Sequence, residues 1–250
     1  LSQVQGGADI LDVNVGHPEI DEKKMMVRVL KAIQSVCDVP LQIDSTKPEV
    51  IEAGLRYYNG KPILNSVNGE EQSLATVLPL VKKYGASVVG LALDENGIPK
   101  TAEGRFEIAK RIVERAEAAG IDRKDVYIDC LTLTVSAEQA ACRQTLEALH
   151  RVKTELGCKT CLGVSNISFG LPNRELVNRT FLTMAMEQGL DLPIINPNVE
   201  SMTGAVRAFR VLNGIDKNSL EFINAYNDAV PAAPVKKADS NVDIFAAVYN

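Results

Sequence analysis

The chain has 250 residues, 46% hydrophobic and 24% charged, with no tryptophan and a formal charge of -5. That balance excludes a disordered or collagen-like chain and is enough to build one α/β barrel or two smaller domains. No apolar run nears the ~18 residues of a membrane helix, the opening LSQVQGGAD has no signal-peptide pattern, and scattered Lys and Arg under an acidic balance argue against a nucleic-acid partner.

Short apolar, β-branched runs alternate with longer segments of helical period. In chain order, strands are predicted at ADILDVNV (8–15), PLQID (40–44), PILNSV (62–67), ASVVGLAL (86–93), DVYID (125–129), TCLGVSN (160–166) and LPIIN (192–196). Continuous apolar character is what strands buried on both faces show. After the second run, Ser45-Thr46-Lys47-Pro48-Glu49 offers a hydroxyl cap with proline in the first helical turn, and Gly54, Gly85, Gly120 and Gly157 fall at or near expected helix exits. A helix over 72–84 puts Leu74, Val77, Leu78 and Val81 on one stripe. Another over 139–156 does so with Cys142, Leu146, Leu149, Val152 and Leu156, leaving Arg143, Glu147 and Lys153 off it. Helices over 201–213 and near 217–228 follow. The segment 231–240 has linker composition, and 241–250 starts a further amphipathic helix.

Strict βα alternation implies parallel strands with right-handed crossovers. Seven units pass at roughly 30-residue spacing, and no Gly-rich dinucleotide fingerprint follows any strand. A (β/α)8 TIM barrel is therefore favoured over an open doubly wound sheet. The opening LSQVQGG reads as the tail of a helix, so the expectation is a barrel over 1–230 made of strands 2 to 8, with its first βα unit missing.

In such barrels the site lies at the C-terminal strand ends. Those ends carry Asp12 and Asn14, Asp44, Asn65, Asp94, Asp129, Asn166 and Asn196, with no Lys, Arg or His among them. Singly, each could cap the next helix, and Asp94-Glu95-Asn96-Gly97 is good turn chemistry. Together they form a ring of acceptors and amides at the ends of apolar strands, where unpaired polar groups are costly. Such a ring suits a neutral, N–H-rich heterocycle: a carboxylate takes two parallel hydrogen bonds from an amidine-like edge, and an amide donates and accepts at once. A carboxylate-held Mg²⁺ is the competing reading; the equal share of Asn and the lack of a D-x-D cluster weigh against a metal. The five cysteines, an odd number, read as reduced thiols, and Cys158-x-x-Cys161 reads as core thiols rather than a redox or metal pair. His17 follows a strand end and His150 lies on a helix; neither has metal-ligand spacing.

GGADILDVNVG, PLQIDSTKPEVIEAGL, GKPILNSVNGE, DVYIDCLTL and LGVSNISFGLPNR resemble the pterin-binding family, and more closely its methyltetrahydrofolate:corrinoid methyltransferases and the folate module of cobalamin-dependent methionine synthase. The likeness runs in order from Gly6 to about Asn213 and implies a TIM barrel of the dihydropteroate-synthase-like type. It further implies a methyl group moving from 5-methyltetrahydrofolate to the cobalt(I) of a corrinoid (cobalamin) on a partner protein or domain. Asp44, Asn65 and Asp129 would hold the pterin's pyrimidine edge, with Asp94, Asn14 and Ser168 completing the binding set. Asn166 would meet nitrogen-5, stabilising its protonated form, and the chain itself would hold no metal. Where one branch has a glutamine three residues after that asparagine, this chain has Phe169; Asp94 in GLALDENG fits the methionine-synthase-like pattern. A cytoplasmic homodimer, and a corrinoid-domain helical cap beginning at 241–250, are also implied. Dihydropteroate synthase and a non-catalytic folate-binding scaffold are the alternatives.

Overall fold

The structure is a computed structural model describing residues 1–227, so the expected linker at 231–240 and the helix start at 241–250 lie outside the described residues. Contacts divide the chain into a compact unit Leu1–Val206 and a second unit beginning at Arg207. In the first, a short helix α1 (Ser2–Gln5) leads into β1 (Leu11–Asn14), and strands and helices then alternate: α2 (Glu22–Gln34), β2 (Leu41–Asp44), α3 (Pro48–Tyr57), β3 (Ile63–Asn68), α4 (Glu71–Tyr84), β4 (Ser87–Leu91), α5 (Ala102–Ala118), β5 (Val126–Asp129), α6 (Ala141–Arg151), β6 (Lys159–Gly163), α7 (Arg174–Glu187) and β7 (Leu192–Ile194). α8 (Glu200–Leu212) runs across the division, and α9 (Leu220–Tyr226) belongs to the second unit. There Arg210 grips Glu221 through two nitrogens, at 3.1 and 2.9 Å.

All seven strands pair in parallel in chain order, as the apolar runs predict. The sheet curls until its edges face each other. Ile10 and Asp12 on the β1 side, with Leu192 and Ile194 of β7, line one cavity of about 410 Å³. The result is a nearly closed TIM barrel. Inside it Ile63, Val89 and Cys161 pack with Ile10, Leu91, Tyr127, Leu192 and Ile194, while alternate residues such as Leu41, Ile43, Val88 and Ile128 are buried on the helix side. No described helix is long and apolar enough to cross a membrane.

Four local expectations are corrected. The sixth strand stops at Gly163, and Val164–Ser168 form a 3-10 turn. Its backbone finds partners in the loop after β5: the Val135 N–H donates to the Ile167 carbonyl (3.0 Å), and the Thr134 and Ser136 hydroxyls both donate to the Phe169 carbonyl (2.7 Å each). Gly54 is not a helix exit but lies inside α3, where a Cβ would sit 3.2–3.3 Å from Met26, Leu30 and Ile43; the glycine lets α3 press onto α2 and β2. Gly85 and Gly157 do close helices, in the left-handed conformation. The cap before α3 is looser than a hydroxyl N-cap: Ser45 Oγ accepts the Lys47 N–H (3.1 Å), and Pro48 opens the helix behind Lys47. Finally, α6 ends at Arg151 in a π-turn over Val152–Leu156, and its buried face is Ala141, Thr145, Leu146, Ala148 and Leu149, with Cys142 only half-buried. Thr145 is drawn inward by a polar partner, Arg105.

Candidate active site

The strand register assembles the first half of the site. Asn14 lies beside Asp44, and Asp44 beside Asn65. In β1, Leu11 and Val13 are buried towards the helices, which turns Asp12 and Asn14 into the barrel. Asn14 Nδ2 donates to Asp44 Oδ2 at 2.8 Å, and its own Oδ1 accepts the Gly16 N–H at 2.8 Å. One step deeper, Gln42 Nε2 donates to Asp12 Oδ1 at 2.7 Å. Burial pushes the Asp44 carboxyl up, opposed by the Asn14 amide; burial also raises Asp12, opposed by Gln42 and reinforced by the charge of Asp44. The strand-end pattern does not single out Gln42, although its place two residues before Asp44 puts it on the same face of β2.

The second half lies across β4. Asp129 is the register partner of Leu91 and is buried. Desolvation lifts its carboxyl to about 6, against the pull of the Leu131 and Gly163 N–H groups and the charge of Arg105. The Leu131 N–H donates to Asp129 Oδ1 at 2.7 Å. Gly163 also links Asp129 to Asn166, because a Cβ on Gly163 would come 3.3 Å from Asn166 Nδ2. The Asn166 amide therefore folds back over the residue whose N–H holds Asp129. Asn166 itself is exposed on its 3-10 turn, and neither its amide nor that of Asn65 hydrogen-bonds another described residue.

The other candidates are held by partners of their own. Asp94 closes a turn onto the Asn96 N–H (3.0 Å) and pairs with Arg111 (2.6 Å), which holds its carboxyl below the usual range. It lines a groove of about 700 Å³ against α5, with Glu107, Lys110, Arg111 and Glu114. Ser168 is fully buried, accepting from Arg174 Nε at 3.0 Å and donating to the Ser165 carbonyl at 3.3 Å. Arg174 also donates to the Ser165 carbonyl (2.9 Å) and lies 4.5 Å over the half-exposed Phe169 ring; neither contact is legible in the sequence. Asn196 turns onto the Asn198 N–H, and His17 and His150 are exposed. Cys158 and Cys161 are buried, and burial raises both thiols. Among the described residues no group of three or more His, Cys, Asp or Glu is placed to hold a metal ion.

Parallel βα units curled into a barrel, with carboxylates and amides gathered at the C-terminal strand ends, define a TIM barrel of the dihydropteroate-synthase-like type. The carboxylates and amide oxygens, as acceptors, fit a heterocycle with several N–H groups on one edge. The pterin binding enzyme family matches residues 1–196, and the chain belongs to it.

Among its relatives, methylcorrinoid:tetrahydrofolate methyltransferase of Eubacterium limosum is 30% identical over 232 residues, 90% of this chain and 84% of the relative. Methionine synthase of Mycobacterium leprae (strain TN) is 35% identical over 207 residues, 78% of this chain. The matched stretch spans only 17% of that methionine synthase, and the same share of the one from Mycobacterium tuberculosis. Dihydropteroate synthases share the fold: that of Yersinia pestis superposes with a TM-score of 0.69 at 18% identity over 85% of this chain and 86% of its own. The Xanthomonas albilineans enzyme gives 0.69 at 21% identity over 86% and 82%. At such identity the likeness is one of fold.

Proposed function

We propose that this chain is a methyltransferase that moves the methyl group of 5-methyltetrahydrofolate to the cobalt(I) of a corrinoid carried by a partner protein or domain, with Asn166 at nitrogen-5. The observation that carries the reading is the convergence of Asp129 and Asn166 on Gly163, within the same barrel mouth as the Asn14–Asp44–Asn65 row. A pterin presents a 2-amino-4-oxopyrimidine edge, and ionised Asp44 and Asp129 accept its N–H groups while Asn65 both donates and accepts. The relatives' names support the reaction class, methyl transfer between a folate and a corrinoid, and the Eubacterium limosum protein is named for the opposite sense of transfer. One site serves both senses, since the transition state is shared. The cytoplasm and a homodimer are the expected setting.

The corrinoid, when bound, supplies the electron pair that takes the methyl. As the methyl–nitrogen bond breaks, nitrogen-5 keeps the bonding pair and must carry a proton taken from solvent, because an amide-like anion leaves poorly. Asn166 is free to turn its Oδ1 to that N–H, and Asp129 holds the ring so that nitrogen-5 faces it. A dihydropteroate synthase would instead need a cation for a departing diphosphate, and Ser165-Asn166-Ile167-Ser168 and Pro193-Ile194-Ile195-Asn196-Pro197 supply none.

The test is loss of cobalt(I) absorbance when the chain is mixed with 5-methyltetrahydrofolate and a reduced corrinoid. Tight folate binding without transfer would leave only a folate-binding scaffold. A sharper probe is Gly163→Ala, whose Cβ would press the Asn166 amide aside by a few tenths of an ångström. Transfer is expected to slow roughly tenfold with folate affinity nearly unchanged. An unaltered rate in that variant would mean Asn166 is not poised where its packing on Gly163 puts it.

A further inference from the structure

Arg105 of α5 has no solvent exposure and no carboxylate for a hydrogen-bond partner among the described residues. A buried guanidinium without a counter-ion is costly, so the groups it does engage are informative. Its Nε donates to the Pro99 carbonyl at 2.9 Å. Its Nη1 reaches the carbonyls of Cys130 (3.1 Å) and Leu131 (3.0 Å) and the Thr145 hydroxyl (2.7 Å). Thr145 Oγ1 lies 3.1 Å from the same Leu131 carbonyl and 3.0 Å from the Ala141 carbonyl, so its one proton is shared between the two.

Leu131 is the residue that these contacts pin. Its φ is +63°, in the left-handed region that a leucine disfavours. The peptide that joins Cys130 to Leu131 carries the link: its carbonyl accepts from Arg105 Nη1 at 3.1 Å, and its N–H donates to Asp129 Oδ1 at 2.7 Å. One face of the turn thus meets Arg105 and Thr145 from outside the barrel, and the other meets the carboxylate inside it.

We propose that Arg105 is a positioning residue of the folate site, fixing the left-handed turn at Leu131 and through it the carboxylate of Asp129. The proposal rests on the function argued above and assigns it a part that lies outside the barrel mouth. Facing Asp129 are the Leu131 and Gly163 N–H groups, the adjacent Cys130 thiol, the Cys161 thiol on β6, and the charge of Arg105 from α5. Burial pushes both thiols up, so they stay neutral and Arg105 is the cation of the set. Without Arg105, the Cys130–Leu131 peptide is free to turn, its N–H leaves Asp129, and the carboxyl holds its proton to higher pH. A protonated Asp129 cannot accept two N–H groups of a pterin edge.

The experiment follows the Asp129 carboxyl by ¹³C NMR titration in the ligand-free full chain. Calorimetric binding of tetrahydrofolate between pH 6 and 9, and thermal melting, are measured alongside. The proteins are the wild type, Arg105→Met, Thr145→Val and the pair Arg105→Met/Leu131→Gly. Arg105→Met is expected to raise the Asp129 midpoint by about one pH unit and to weaken folate binding several-fold at pH 6, with the loss shrinking towards pH 9. Glycine at 131 adopts the left-handed turn without strain, so the double variant should recover much of the midpoint; a merely structural role would lower the melting temperature in both and move neither midpoint nor recovery. Should Arg105→Met not fold, Thr145→Val, which removes only the hydroxyl bridging Arg105 and Leu131, is expected to raise the midpoint by a smaller amount. Folded variants with an unmoved Asp129 midpoint overturn the proposal. A wild type that binds no tetrahydrofolate instead overturns the function, while the NMR midpoints still decide the role of Arg105.

Discussion

Asp129→Asn is expected to stabilise the barrel at neutral pH while weakening folate binding. The buried carboxyl titrates near 6 in the folded chain against 3.8 ordinarily. Between those values the folded state holds a proton that the unfolded state has released, so stability falls as pH rises through that window and is lowest above about 6. Keeping the carboxylate ionised in the fold therefore costs at most about 3 kcal/mol. Asparagine removes that charge but keeps only one acceptor for the Leu131 and Gly163 N–H groups, so a net gain of about 1–2 kcal/mol is expected at pH 8. That is a rise of roughly 2–8 °C in melting temperature for a chain of this size. The advantage over wild type should vanish at pH 4, where Asp129 is protonated in the fold. The same substitution loses charge-assisted hydrogen bonds to the pterin edge and should weaken folate affinity about 100-fold. Melting curves at pH 4 and pH 8 with a folate titration check both halves, and equal stability of the two proteins at pH 8 would show that Asp129 carries no burial penalty.

Asn166→Ala is expected to behave in the opposite way. The side chain is exposed, and its amide bonds no other described residue, so stability should change by less than about 0.5 kcal/mol. Its proposed partner, the N–H of nitrogen-5, is gained as the methyl departs. The loss should therefore fall on turnover, about 100- to 1,000-fold, with folate binding within a few-fold of wild type. Stopped-flow decay of cobalt(I) absorbance and folate calorimetry separate the two quantities. Transfer at the wild-type rate would remove Asn166 from the mechanism. One variant should thus gain stability and lose binding, and the other keep both and lose rate. A site in which Asp129 orients the ring and Asn166 answers the moving proton requires that split.

Much of the architecture is legible because parallel strands covered on both faces leave continuous apolar runs, and each of the seven runs overlaps a strand. The location of the site follows from the ends of those runs, where Asn14, Asp44, Asn65 and Asp129 break the apolar pattern. The end of β6 is not legible. TCLGVSN stays apolar past Gly163, and the turn there is held by contacts from a loop some 30 residues earlier, the Val135 N–H and the hydroxyls of Thr134 and Ser136. Asp94 looks like its neighbours in the ring until Arg111, on the next helix, claims its carboxylate. Arg105 carries no mark of burial, because a charged residue in a helical segment ordinarily faces water.

The sequence by itself determined the number and order of the strands, the parallel class and which polar residues stand at their ends, since period and composition are local properties. The tertiary structure decided which of those residues meet. Register set Asn14, Asp44 and Asn65 in one row, a glycine without a Cβ let Asn166 close over the N–H that holds Asp129, and the Cys130–Leu131 peptide turned its carbonyl to a buried arginine and its N–H to the same carboxylate. Those outcomes depend on desolvation and on contacts between segments far apart in the chain, and no local pattern of residues contains them.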